Sequence, residues 1–358
     1  MRLYILHSYV LFLLLNACTS SNRNEQKPVN ANRPLQPAVI TQKVYDDSDD
    51  PAIWINPNDF SRSLILGTDK HSINGGLYVF DLNGKIDSSR TKTGMKRINN
   101  VDVIKGFVWG DSLIDIAVAT ERDRNCIRVF KLPEMEPIDG NGIEVFVGEK
   151  ERSPMGIALF KRGSDKAVFA IVSRKNGPRN GYLAQYKLQF DGRNRVIAIL
   201  ERHFGKFSGK KEIESLAVDH DLGYLYYSDE QYGIRKYHAD PKKGDKELAV
   251  FGKGAFKEDN EGISIYTLDS SSGYLLVSDQ SNNSFQVYSR SGTKNNAHEH
   301  RFITSIAVAA NQSDGSEITS VNLPGFKGGI LVAMSTEGTF HFYRWKDIAM
   351  AGGLKIKE

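Results

Sequence analysis

The sequence predicts an all-β fold, a six-bladed β-propeller, and three periodic observations lead to it. A short apolar run ending in Thr or Ser recurs six times: Leu64–Thr68, Ile116–Thr120, Phe169–Ser173, Leu225–Ser228, Leu275–Ser278 and Leu331–Ser335. The terminal hydroxyl residues are 52, 53, 55, 50 and 57 positions apart. An aromatic residue follows each run, at Phe80, Phe130, Tyr186, Tyr237, Tyr288 and Tyr343. A third segment precedes each, opening at Asp50, Asn100, Met155, Glu214, Glu261 and Thr319. Three strand signals in constant order, with turn residues between them, describe a blade of about four strands. Two tandem β-sandwiches would instead give a composition break near the middle and no sixfold register.

The remaining elements follow in chain order. Arg2 and the apolar run Tyr9–Leu15 form a leader too short to span a bilayer. It ends in Leu15-Asn16-Ala17-Cys18, similar to a bacterial lipobox, so residues 1–17 are expected to be a lipoprotein signal peptide and Cys18 the lipidated first residue. The expected location is the cell envelope, with the membrane touched only through that lipid anchor. Residues 18–41 are polar and aperiodic and are read as a tether, and residues 42–358 as the propeller. Past Cys18 only Cys126 remains, so no disulfide framework exists. A balance of 47 basic against 43 acidic residues, without a basic tract, argues against a nucleic-acid partner. A monomer is expected.

Equivalent positions in a propeller lie on one ring, so the repeats also point to a site. Two residues after each hydroxyl stand Lys70, Arg122, Lys175, Glu230, Gln280 and Glu337. Three cations from the first blades therefore face anions or an amide from the last three. The inner series places Asp50, Asn100, Met155, Glu214, Glu261 and Thr319 around the same axis, flanked by Asp102 and Asp259. Crowded carboxylates repel unless an ion sits among them. Calcium takes about six to eight hard oxygen ligands and suits such a set. Zinc suits it poorly, because no cysteine is available and the eight histidines fall outside both series. Cations opposite calcium suggest a substrate carrying several phosphates.

Asp49-Asp50-Pro51-Ala52-Ile53-Trp54 resembles the opening motif of the β-propeller phytases. Asn99-Asn100-Val101-Asp102, Asp259-Asn260-Glu261-Gly262 and Gly273–Leu276 leading to Gln280 are similar to further motifs of that family. The resemblance covers nearly all of the propeller. It implies a calcium-requiring phosphomonoesterase acting on phytate (inositol hexakisphosphate), usually as its calcium complex, by metal-activated water. By motif, Asp50, Glu214, Glu230, Asp259, Glu261 and Gln280 look like calcium ligands, joined in this reading by Asp102. Glu230, Asp259 and Glu261 are expected to carry the catalytic ions, and Lys70, Arg122 and Lys175 to bind phosphate. Two departures stand out. Met155 occupies a position where the family usually has tyrosine, and the stretch Asp314–Asn322 keeps only part of an acidic family motif. The alternative is a calcium-stabilised propeller that binds an anionic ligand or a protein without turnover.

Overall fold

The computed structural model describes residues 33–358; the expected leader, Cys18 and most of the expected tether lie outside the described residues. Six antiparallel sheets stand in a ring, the arrangement of a six-bladed propeller. Blade 1 runs outward through Ser48–Trp54, Leu64–Asp69, Gly75–Phe80 and Lys92–Met95. Blades 2 to 5 repeat the pattern, with innermost strands Ile98–Trp109, Pro154–Lys161, Leu216–Asp219 and Asn260–Thr267. Blade 6 is built from Ser316–Thr319, Ile330–Ser335 and Thr339–Arg344. Its outer strand is Val39–Ile40, from the other end of the chain, pairing Val39 with Phe342 and Ile40 with His341. Part of the stretch read as tether thus closes the ring. Two paired residues are too short to leave a strand pattern in the sequence.

The apolar runs are continuous because each blade is buried on both faces, and successive side chains on a strand point to opposite sides. Ile65 packs with Phe340 and Phe342 of blade 6, whereas its neighbour Leu66 packs with Val101 and Ala117 of blade 2. The core is accordingly six clusters, one between each pair of adjacent blades. The six aromatic repeat residues are all buried in these clusters.

The repeated hydroxyls are blade fasteners. All six are buried. Thr68, Thr120 and Ser173 accept the backbone N–H of Asp50, Asn100 and Gly156 on their own inner strands. Thr120, Ser173, Ser228 and Ser278 each donate to a carbonyl of the following blade, those of Met155, Ile213, Glu261 and Ser313. Such a hydroxyl satisfies backbone groups that a closed ring would otherwise bury unpaired.

Candidate active site

One backbone hydrogen bond recurs in five blades and explains why the residue two places past each hydroxyl belongs to a site. The N–H of Lys70, Arg122, Lys175, Glu230 and Gln280 donates to the carbonyl of Asp47, Arg97, Ser153, Glu212 and Asp259, respectively. Each acceptor lies two residues before Asp49, Asn99, Met155, Glu214 and Glu261, so both series are held at one height. The inner strands of blades 1, 2, 3 and 5 also carry a bulge here, re-entering register at Pro51, Val101, Ile157 and Ile263. Bulges re-aim side chains, and these turn the residue two positions earlier into the mouth of the ring.

The shared backbone bond corrects the expected inner ring by one residue in two blades. Asp49 and Asn99, not Asp50 and Asn100, stand level with Met155, Glu214 and Glu261. Lys70, Asn99, Arg122, Met155, Lys175, Glu214, Glu261 and Gln280 together line a cavity of 180 Å³. Asp50 and Asp102 do not join them; they line a separate 350 Å³ cavity along the central channel. There Asp50 Oδ2 accepts the Val101 N–H at 3.0 Å and Asp102 Oδ2 the Leu159 N–H at 2.7 Å. Each ties its blade to the next. Burial pushes the Asp102 carboxyl up to about 7 and holds Asp50 well above the usual range. Glu337 and Thr319 are also outside the mouth cavity, the former bonded to the Ser335 hydroxyl.

Glu230 and Asp259 complete the carboxylates. Glu212, Glu214 and Glu230 form one group whose ligand atoms lie within 4.8 Å of one another, and Glu230, Asp259 and Glu261 form a second. Glu230 belongs to both. Burial, reinforced by Glu212, pushes its carboxyl up to about 7. Burial, then Glu230, holds Glu261 well above the carboxylate range. Glu230 Oε1 and Glu261 Oε2 are buried without a hydrogen-bond donor. Buried acceptors left this way cost stability, and a bound cation removes that cost. An oxygen-only set with orphaned buried oxygens fits a hard divalent cation, and the residues to hold it are Glu212, Glu214, Glu230, Asp259 and Glu261.

The cationic half touches the acidic half. Lys70 Nζ lies 2.6 Å from Asp49 and 2.9 Å from Asp314, and Lys175 pairs with Glu212. Burial would lower the Lys70 ammonium, but Asp49 and Asp314 hold it above the ordinary lysine value. Asn99 Nδ2 bridges Asp49 at 2.9 Å and Glu214 at 2.8 Å. Arg122 is not paired with a carboxylate among the described residues; one of its nitrogens stands 3.4 Å from Asn99 Oδ1. Asp49, Asn99, Asp314, Lys211 and Glu212 were missed from sequence. Asp49 and Asn99 adjoin Asp50 and Asn100 in polar doublets, and the backbone bond accepted two residues earlier selects the first member of each. Asp314 lies in the altered last-blade motif and Lys211 in a loop, but Glu212 stands two residues before Glu214 as Asp259 stands two before Glu261, a repeat signal that could have found it.

A 3-phytase of Bacillus subtilis (strain 168) is 29% identical to this chain over 336 residues, covering 85% of this chain and 81% of its own length. The family model described as Phytase matches residues 2–339. With a match across nearly the whole ring, this chain belongs to the phytase family of phosphate-ester hydrolases.

Proposed function

We propose that this protein hydrolyses phytate, or a closely related multiply phosphorylated small molecule, in a calcium-dependent reaction at the propeller mouth. The observation that carries this reading is the joining of two carboxylate groups through Glu230, directly beside Lys70, Arg122 and Lys175. Calcium held by these carboxylates supplies a Lewis acid for phosphoryl oxygens and a coordinated water of lowered pKa. Glu212, Glu214, Glu230, Asp259 and Glu261 fix the ion positions. Gln280, whose amide donates to Asp314, adds a neutral oxygen to the same wall. Arg122 offers a planar guanidinium that can take two phosphate oxygens, and Lys70 and Lys175 offer compact charges for others. Met155 is buried at the cavity wall and supplies apolar contact only.

The lipobox reading belongs to the same proposal. A lipid on Cys18 would hold the propeller at the cell envelope, where extracellular or periplasmic phosphate esters are met. The non-catalytic alternative loses its ground, because the chain matches a family of hydrolases and its carboxylates and cations meet in one cavity.

Substrate class is tested by phosphate release from inositol hexakisphosphate against a simple monophosphate ester, at equal calcium. Several cations spaced around one mouth can bind several phosphates at once, so phytate should have kcat/KM at least about tenfold higher, one charge-assisted contact of about 1.4 kcal/mol. Equal values for the two substrates would show that the cationic wall does not read a polyphosphate.

A further inference from the structure

We propose that Lys211 is a built-in counter-ion of the metal-binding carboxylates and sets the calcium concentration at which the mouth fills; this rests on the calcium reading above. Its ammonium lies 2.6 Å from Asp259 Oδ2, 2.9 Å from Glu230 Oε2 and 3.7 Å from Glu261 Oε1. Those three carboxylates are the second of the two groups. No other lysine among the described residues touches more than one member of either group; Lys175 reaches Glu212 alone.

The accessibility of the partners differs in a telling way. The Lys211 side chain is 36% exposed, whereas Glu230 is fully buried and Glu261 nearly so. The carboxylates are thus fixed from within, and the ammonium reaches them from the solvent side. Lys211 sits in the loop between the outer strand of blade 3, Val196–Lys206, and the inner strand of blade 4, Leu216–Asp219. A four-carbon stem on a loop can withdraw without disturbing a strand. Burial alone would lower its pKa, but the hydrogen bond to Asp259 and the charge of Glu230 hold it above the ordinary lysine value.

Glu230 Oε1 and Glu261 Oε2 are free of the ammonium, but a divalent ion that also takes Glu230 Oε2, Asp259 Oδ2 or Glu261 Oε1 must displace it, and one held by the free oxygens alone still meets its positive charge. Either way the net affinity is the gross affinity less that cost. Lys211 therefore holds the carboxylates together at low calcium and competes with calcium for them. Lys70 has a different position, since its partners Asp49 and Asp314 lie outside both groups.

The test measures calcium binding, not turnover, by isothermal titration of the full chain. The relevant heat is the part that Glu230→Ala abolishes. Lys211→Met keeps the apolar stem and removes the charge, and should tighten that binding about tenfold, or about 1.4 kcal/mol. Lys211→Arg keeps the charge and should bind calcium no more tightly than the parent. In chelator Lys211→Met should melt below the parent, and at saturating calcium the deficit should vanish. Binding in the parent with no tightening in Lys211→Met overturns the inference and leaves the calcium reading intact. So does a Lys211→Met deficit that persists at saturating calcium, which would mark the lysine as a loop support. Equal tightening by Lys211→Arg also overturns it. A parent without calcium binding at these carboxylates refutes the calcium reading itself, and the inference with it.

Discussion

Glu230→Ala is expected to lower phosphate release by more than about a hundredfold at calcium levels that saturate the parent, a loss that added calcium restores only in part. Changes to groups that merely orient metal ligands typically cost about 10- to 100-fold in affinity or activity, and Glu230 touches both prospective ion positions directly. Arg122→Ala should fail in a different manner. It removes a charge-assisted phosphate contact worth about 1.5–3 kcal/mol, roughly a tenfold to hundredfold loss in kcat/KM. Its calcium dependence should stay that of the parent. Arg122 is the better choice for this contrast than Lys70 or Lys175, because removing either lysine would also strip a carboxylate of its partner. Calcium titrations of phosphate release by both variants make the comparison. If both keep the parent's calcium midpoint and lose activity equally, the mouth is not divided into metal-holding and phosphate-holding sides.

The second large effect is structural and comes from the third blade. Gly156, on the inner strand of blade 3, lies against the segment that leads into the inner strand of blade 4. A Cβ there would stand 1.7 Å from the Glu214 carbonyl oxygen and 2.6 Å from Leu216 Cδ1. The first obstacle is backbone, so it cannot rotate away, and Gly156→Ala must push the blade-3 strand and the segment at Glu214 apart. Overpacking typically costs about 1–3 kcal/mol and occasionally more; a backbone clash this short belongs at the upper end, near 3 kcal/mol, or a melting temperature lower by about 5 °C. The displaced segment carries Glu214, two residues before the strand, and misplacing a reacting group by about 1 Å can cost about a hundredfold in rate. Gly163→Ala is the control, since nothing lies within 4 Å of its Cβ position, and it should change stability by less than about 0.5 kcal/mol. Thermal melting of both variants, with phosphate release measured below the transition, checks the pair. A Gly156→Ala protein that melts with the parent would mean that this contact has slack.

The propeller was legible because its repeats are physical necessities. Each blade needs a second strand apolar on both faces, a hydroxyl to fasten the ring, and an aromatic residue in the strand beyond it. Thr68, Thr120, Ser173, Ser228, Ser278 and Ser335 give the register away. The position two residues later was legible for the same reason, and Lys70, Arg122, Lys175, Glu230 and Gln280 do meet at one mouth. The inner ring was read one residue off in blades 1 and 2. The bulge is present in blades 3 and 5 as well. What sets blades 1 and 2 apart is the polar doublets Asp49-Asp50 and Asn99-Asn100. The second member of each, like Asp102, lines the channel, where Asp50 and Asp102 fasten strands. Lys211 and Asp314 depend on loop geometry and long-range approach, which a repeat cannot encode, whereas Glu212 is the blade-4 equivalent of Asp259 and lay within reach of the register. The strand Val39–Ile40 escaped notice because its partner lies at the other end of the chain.

Whether ions at the Glu230-centred carboxylates enable phosphate release is decided by titrating the full-length parent with calcium and following ion binding and phosphate release from phytate on the same sample. Excess chelator should abolish release, and activity should then rise along the binding curve, with magnesium a poor substitute because it demands tighter octahedral geometry. Release at the full rate in excess chelator, with calcium adding nothing, would contradict that dependence.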